Sequence, residues 1–216
     1  MSRIVVFGAG GKAGRAVVAE AARRGHEVVA AVRDVSRYPD LADGGVELAG
    51  ADLNDQAQVT ALVKDADAVV NATAPGATDE VGDFFRHGSS TLAAAAAATG
   101  SRLVSIGLSA YLEVAPGVRA MDTPDFPAQF VDFAHAHAAG LAVLRSAPAE
   151  LQWSVVVPAM VFDPEGERTG TYRSGDAGLL ADAAGVSRIS YADFAIAVLD
   201  EAEGGAHQGT HFAVAY

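Results

Sequence analysis

The sequence predicts an α/β protein: a Rossmann-like doubly wound parallel sheet with a small C-terminal cap region. Three observations carry this. Short apolar segments alternate along the chain with segments of helical spacing. The apolar segments are continuous rather than alternating in and out, as parallel strands covered on both faces require. A glycine-rich turn joins the first strand to the first helix.

The elements follow in order. Arg3–Phe7 is a short apolar strand, and Gly11–Arg24 has helical spacing with Ala13, Val17, Val18 and Ala21 on one side. Glu27–Val32 is rich in β-formers, and Val46–Ala49 is a short strand. Asp55–Lys64 reads as a helix with Val59, Leu62 and Val63 inward. Ala68–Asn71 is a strand, Val81–Ala98 a long helix, and Arg102–Ile106 a strand. Phe130–Ser146 is helical, and Trp153–Val157 is a strand stopped by Pro158. Beyond Pro158 the rhythm breaks. Asp163-Pro164-Glu165-Gly166 is a turn cluster, and Gly170–Arg173 and Ser187–Ser190 read as short strands. Ser190 caps a last helix with Asp193 three residues on, and His211–Val214 is the final strand. Residues 1–216 read as one domain, in which 158–216 supply the substrate-side cap together with the last helix and strand.

Composition narrows the function. The 216 residues include no Cys, which excludes a disulfide framework, a thiolate zinc site and a cysteine nucleophile. With 15 basic and 27 acidic residues the net charge is −12, which argues against nucleic acid or an anionic membrane as partner. No targeting signal is evident at the N-terminus, and no apolar run has membrane-spanning length, so the expectation is a cytoplasmic protein, monomeric or homodimeric. His135 and His137 are two apart on a helix and share no face, so no metal site is expected.

The strongest chemical signal is Gly8-Ala9-Gly10-Gly11-Lys12-Ala13-Gly14. Gly8 permits the tight turn, Gly10 and Gly11 let backbone approach a pyrophosphate, and Ala13 and Gly14 let the helix pack close to the strand. The pyrophosphate then rests on the positive helix N-terminus, where Lys12 adds positive potential. At the end of the second strand Arg33, with Arg37 beyond, suits a ribose 2′-phosphate, so NADP(H) is favoured over NAD(H). Asp34 is the alternative, as acceptor for a 2′-hydroxyl. Further strand ends line the same crevice: Asp52 and Leu53 near adenine, with a helix N-cap as the other reading of Asp52; Ala72, Thr73 and Ala74 near the cofactor ribose; Gly107 and Ser109 near the nicotinamide; Pro158 and Ala159 as its wall.

The chain resembles the atypical short-chain dehydrogenase/reductases of the NAD(P)H-binding, NmrA-like kind. Within them it is most similar to the bacterial NADH-flavin reductase family, relatives of biliverdin-IXβ/flavin reductase. The motifs are the glycine loop, Leu112-Glu113-Val114-Ala115-Pro116-Gly117, Asp122-Thr123-Pro124-Asp125-Phe126-Pro127, Gly166-Glu167-Arg168-Thr169-Gly170 with Tyr172-Arg173, Ile189-Ser190-Tyr191-Ala192-Asp193-Phe194-Ala195, and the ending Phe212-Ala213-Val214-Ala215-Tyr216. The resemblance implies a Rossmann-like fold and a reduced nicotinamide cofactor. Ser109-Ala110-Tyr111-Leu112 resembles the stretch after the fifth strand in biliverdin-IXβ/flavin reductase, which makes Ser109 and Tyr111 the candidate catalytic residues. The histidine that follows the next strand's proline there is Met160 here.

The departures shape the mechanism. The residues four after Tyr38, Tyr111, Tyr172 and Tyr191 are Ala42, Ala115, Asp176 and Ala195, so the tyrosine–lysine acid/base pair of ordinary short-chain dehydrogenases is missing. Direct hydride delivery to a flavin, a quinone or a similar flat conjugated acceptor needs no such pair. Any flavin is then a substrate and not a prosthetic group. The other reading is a non-catalytic NAD(P)-sensing regulator of the NmrA kind. Arg168 and Arg173 are expected either on an anionic substrate group or paired with Asp163, Glu165 or Asp176, and Asp193 as a helix cap. Phe84, Phe85, Phe126, Phe130 and Phe133 are expected in the core or in an aromatic lid.

Overall fold

A strand buried on both faces must be apolar at every position, and β1 (Arg3–Phe7) shows the consequence. Ile4 and Val6 enter one core and Val5 and Phe7 the other, all of them buried. The computed structural model describes residues 1–76 and 79–216. The chain runs β1, α1 (Lys12–Arg23), β2 (Glu27–Val32), β3 (Glu47–Gly50), α2 (Gln56–Leu62), β4 (Ala68–Asn71), α3 (Val81–Thr99) and β5 (Arg102–Ile106). A hairpin of β6 (Glu113–Ala115) and β7 (Val118–Arg119) precedes α4 (Val131–Arg145) and β8 (Trp153–Pro158). Then come β9 (Val161–Asp163), β10 (Arg173–Gly175), β11 (Arg188–Ser190), α5 (Tyr191–Gly204) and β12 (Thr210–Ala215).

The main sheet has eight strands in the order β10-β12-β8-β5-β4-β1-β2-β3. All neighbours are parallel except β10, which runs against β12. The chain lays down β1, β2 and β3 in one direction and then returns to β4 on the other side of β1, the strand reversal beside which α/β proteins bind ligands. Helices α1 and α5 cover one face, and α2, α3 and α4 the other. The alanine tract of α3 serves close packing: Ala93, Ala95 and Ala96 are buried. At the α3–α4 crossing a Cβ on Gly140 would meet Ser89 Oγ at 2.9 Å.

The region beyond Pro158 is less separate than a cap. α5 lies in the first layer and β12 lies inside the main sheet, while β9 and β11 form a small parallel pair above it. The strand expected at Gly170–Arg173 falls instead at Arg173–Gly175, because Thr169 and Gly170 are engaged by Asp193. The Asp193 carboxylate accepts from Thr169 N (2.8 Å), Thr169 Oγ1 (2.7 Å), Gly170 N (2.8 Å) and Tyr216 Oη (2.7 Å). Ser190 caps α5 by accepting from Asp193 N (3.0 Å). Ser190 N in turn donates to Tyr216 Oη (3.2 Å), the role that the Asp193 side chain would fill in a simple capping box. Asp193 is therefore the clamp of the Gly166–Tyr172 loop rather than a helix cap.

Arg168 pairs with Glu20 of α1 (3.3 Å), not with the acids near it in sequence. Glu20 also accepts from Arg23 and Arg24, and these bonds, Arg23's foremost, lower its pKa to about 2. Arg173 donates to the carbonyls of Ala181 and Tyr216, and Asp163 is held by Arg188. Both expected acid pairings are thus replaced by contacts that tie the cap to α1 and to Tyr216 just after β12. Among the described residues no helix is long and apolar enough to cross a membrane.

Candidate functional site

Register sets the crevice. Phe7 of β1 is level with Ala31 of β2 and Asn71 of β4, and Asn71 is level with Ser105 of β5. The glycine loop, Arg33, Ala72–Ala74 and Gly107–Ser109 therefore leave the sheet along one carboxyl edge, with Pro158 and Ala159 beyond.

The glycine loop is built for an anion. Gly11 is the N-cap of α1 and makes no side-chain cap bond, and no acid stands in the first turn. The first amides of the helix, on Lys12, Ala13 and Gly14, lack a partner four residues back and face a positive dipole end. Gly8 has φ +75°, and a Cβ there would lie 2.4 Å from the Ala72 carbonyl oxygen. At Gly14 a Cβ would lie 2.2 Å from Gly8 O, so α1 sits directly on the turn. A Cβ on Gly11 meets only Gly8 O, at 3.4 Å, which leaves that flank open to a ligand. Gly10 has a different reason to be small: the Tyr38 ring covers it, 2.5 Å from a would-be Cβ. The residues present thus fit a dinucleotide pyrophosphate at Gly11–Gly14, with Gly10 as the seat of Tyr38.

Tyr38 is the residue that pattern reading missed. Arg15 and Arg37 place guanidinium carbons 5.7 Å and 5.9 Å from its ring centroid, and Arg15 is ion-paired with Asp40. An aromatic just past an Arg-rich strand end was the available signal. Arg33 stands at the end of β2 and is largely exposed, but it donates to Asp79 across the crevice (2.9 Å). Asp79 also accepts from Gly76 N (2.6 Å). Asp34 is used locally, accepting from Ser36 N and Ser36 Oγ (3.0 and 2.6 Å), so it holds a turn.

Asp52 likewise closes a turn, accepting from Asn54 N (2.9 Å), while Asp55 is the N-cap of α2. Leu53 packs toward α3, where a Cβ on Gly88 would be 3.1 Å from its Cδ1. Thr73 donates from N and Oγ1 to Asn71 Oδ1 (3.2 and 2.7 Å), which shapes the loop after β4 against Gly8. Pro158 and Ala159 are buried, and Met160 and Val161 next to them are about half exposed.

The two catalytic candidates separate. Ser109 is half-buried, and its hydroxyl has no hydrogen-bond partner among the described residues. Tyr111 is 4% exposed and belongs to the core beneath the loop. Its hydroxyl tucks under Gly107, where a Cβ would lie 2.3 Å from it, and burial pushes its pKa up. It does not reach the crevice surface, so it cannot touch an acceptor lying there. His137 packs against Phe85 with its ring tilted by 34° (4.2 Å between centroids), Phe133 meets Phe85 edge-on, and Phe130 is 54% exposed. The aromatics thus divide between core and surface.

Comparison with known proteins identifies the family and matches the fold. The profile of the NAD(P)H-binding family matches residues 8–202. The uncharacterized protein YwnB of Bacillus subtilis is 37% identical over 217 residues, covering 98% of this chain and 97% of YwnB. A crystal structure of a "putative exported protein" from Burkholderia pseudomallei superposes with a TM-score of 0.89 at 35% identity, over 100% of both chains. A "putative NADH-flavin reductase" from Streptococcus pneumoniae gives 0.88 at 32%, over 100% of this chain and 99% of that one.

Proposed function

Because the chain belongs to the NAD(P)H-binding family, we propose that it is an NAD(P)H-dependent reductase that passes hydride to a flat conjugated acceptor such as a flavin or quinone. The observation that carries this is the uncapped, acid-free N-terminus of α1 beside the strand reversal. When bound there, a reduced nicotinamide supplies two electrons and one hydrogen. The chain's own contribution is position. Lys12–Gly14 amides hold the pyrophosphate, Ala72–Ala74 and Gly107 border the ribose and ring, and Pro158–Ala159 form the far wall. Ser109 offers a free hydroxyl at the reacting end, and exposed Met160 and Val161 give an apolar surface suited to a planar ring. The missing tyrosine–lysine pair and the burial of Tyr111 speak for an acceptor that delocalises its own charge.

The test is purified protein with NADPH and, in turn, FMN and a 1,4-quinone, followed at the nicotinamide absorbance. Steady oxidation supports the reductase. Tight binding without turnover over a broad acceptor panel would identify a cofactor sensor instead.

Arg33 is proposed to turn from Asp79 to a 2′-phosphate, which favours NADPH. Arg33→Ala then weakens NADPH binding by about 10-fold or more and NADH by less than about 3-fold, read by calorimetry. Equal weakening of both would remove Arg33 from that role.

A further inference from the structure

Beneath the crevice, on the α3–α4 face of the sheet, lies a cavity of about 20 Å³. Its polar wall is Asn71, Thr73, Ser89, Ser105, Tyr111 and His137. Two of these hydroxyls, Ser105 Oγ and Tyr111 Oη, are fully buried with no hydrogen-bond partner among the described residues. A third such atom, Ser154 Oγ, is not in this wall. Buried hydroxyls are almost always paired, and orphans that share a cavity call for a common partner. A polar cavity needs roughly 10–15 Å³ and two or more polar neighbours to hold a water, and both conditions are met. Asn71 contributes as well, since its Oδ1 is taken by Thr73 (2.7 Å to Oγ1) and its amide hydrogens remain.

The place of the cavity gives it a use. Thr73 and Ile106, at the ends of β4 and β5, are half-buried members of its wall, so it meets the crevice where an acceptor would lie. We propose that the cavity holds an ordered water gripped by Ser105 Oγ and Tyr111 Oη, and that this water relays the proton which completes reduction of the acceptor. The proposal rests on the reductase reading above. An acceptor that has taken up hydride carries one excess negative charge and needs one proton. The water gives that proton to the acceptor anion, breaking one of its O–H bonds. As it does so it takes a proton from solvent water at the mouth of the cavity, forming a new O–H bond, so that Ser105 and Tyr111 both stay protonated and serve to hold the water in line. Burial keeps both aromatic partners uncharged at neutral pH: it raises the Tyr111 pKa and lowers that of His137 to about 4. The other charged group near Tyr111 is Arg145, which also approaches His211 (3.3 Å) behind the ring. Tyr111 is on this view a positioning residue acting through water, which reconciles its burial with its place after β5.

Two measurements decide the matter. A high-resolution crystal structure should show a water within hydrogen-bond distance of both Ser105 Oγ and Tyr111 Oη; a dry cavity overturns the proposal. Tyr111→Phe keeps the ring and removes one of the two hydroxyls that hold the water in line. With NADPH and a 1,4-quinone it should lower kcat about tenfold and raise the solvent deuterium isotope effect, while the NADPH Kd stays within about twofold. Ser105→Ala should move both quantities the same way by less. A folded Tyr111→Phe protein with unchanged kcat and isotope effect reduces the water to a structural one and overturns the relay alone. A wild-type protein that oxidises no NADPH overturns the relay and the reductase reading together.

Discussion

Gly14→Ala is expected to abolish dinucleotide binding and to destabilise the fold by about 2–4 kcal/mol. The sign is the informative part. In an unconstrained helix Gly→Ala stabilises by about 1 kcal/mol. Here the added methyl would lie 2.2 Å from Gly8 O and 2.8 Å from the Ala9 Cα. Both are backbone atoms of the turn that β1 feeds into, so no side chain can swing aside. The helix must lift from the strand, and the amides of Lys12–Gly14 move with it. Denaturant unfolding should show the lost stability, and calorimetry should show an NADPH Kd raised by at least about 100-fold. Gly11→Ala is the companion, since its methyl meets only Gly8 O at 3.4 Å. It should leave stability within about 0.5 kcal/mol and still weaken the nucleotide. A Gly14→Ala protein as stable as the parent would show that α1 does not rest on the turn.

Asp193→Ala should cost about 2–3 kcal/mol, because it removes the buried charged acceptor shared by several part-buried hydrogen bonds. Asp193 is 0% exposed, and Thr169 N, Gly170 N and Tyr216 Oη all lose their acceptor. The acid side of the stability curve should register the same group. Burial by itself would raise the Asp193 pKa, but the bonds from Thr169, Tyr216 and Gly170 outweigh it and leave the value below the ordinary one. Glu20 is depressed in the same sense, from 4.5 to about 2, first of all by Arg23. A carboxylate whose folded pKa is depressed contributes fully above its unfolded value and loses that contribution as pH falls through the folded one. For Glu20 the window is between those two values. The urea midpoint of both proteins should therefore drop on acidification below about pH 4.5 through Glu20, and below about pH 3.8 that of Asp193→Ala should drop less than that of the wild type. Equal slopes for the two proteins would count against the Asp193 clamp.

These two sites also show what a one-dimensional reading can reach. Gly8, Gly11 and Gly14 announce themselves because their constraint is local: a turn, a helix start and a close crossing within seven residues. The strands were visible for the same reason, since Ile4–Phe7 or Val155–Val157 can only be buried on both sides. The reasons behind Gly10 and Gly107 are not local. Gly10 is small because Tyr38 arrives from the turn after β2, and Gly107 because Tyr111 folds back beneath it. Asp79 opposite Arg33, Glu20 beneath Arg168 and Asp193 inside its loop are likewise pairings across 23 or more positions. Spacing rules cannot list such partners, so Asp193 passed for a cap and Asp52 for a possible one. The hairpin after β5 was hidden for another reason: two short strands with every side chain of β6 exposed have no hydrophobic period to read.

The position of β12 has a consequence for biosynthesis. It is synthesised last of all the strands yet slots between β8 and β10. While a nascent chain still lacks Thr210–Ala215, the Val155–Val157 flank of β8 carries open amides and carbonyls beside exposed aliphatic groups. That interval invites strand pairing between neighbouring chains on a polysome. Yield in a cell should therefore depend on how quickly the ribosome delivers the roughly 25 residues from the start of α5 to the end of β12, and on whether a chaperone shields the unfinished edge meanwhile.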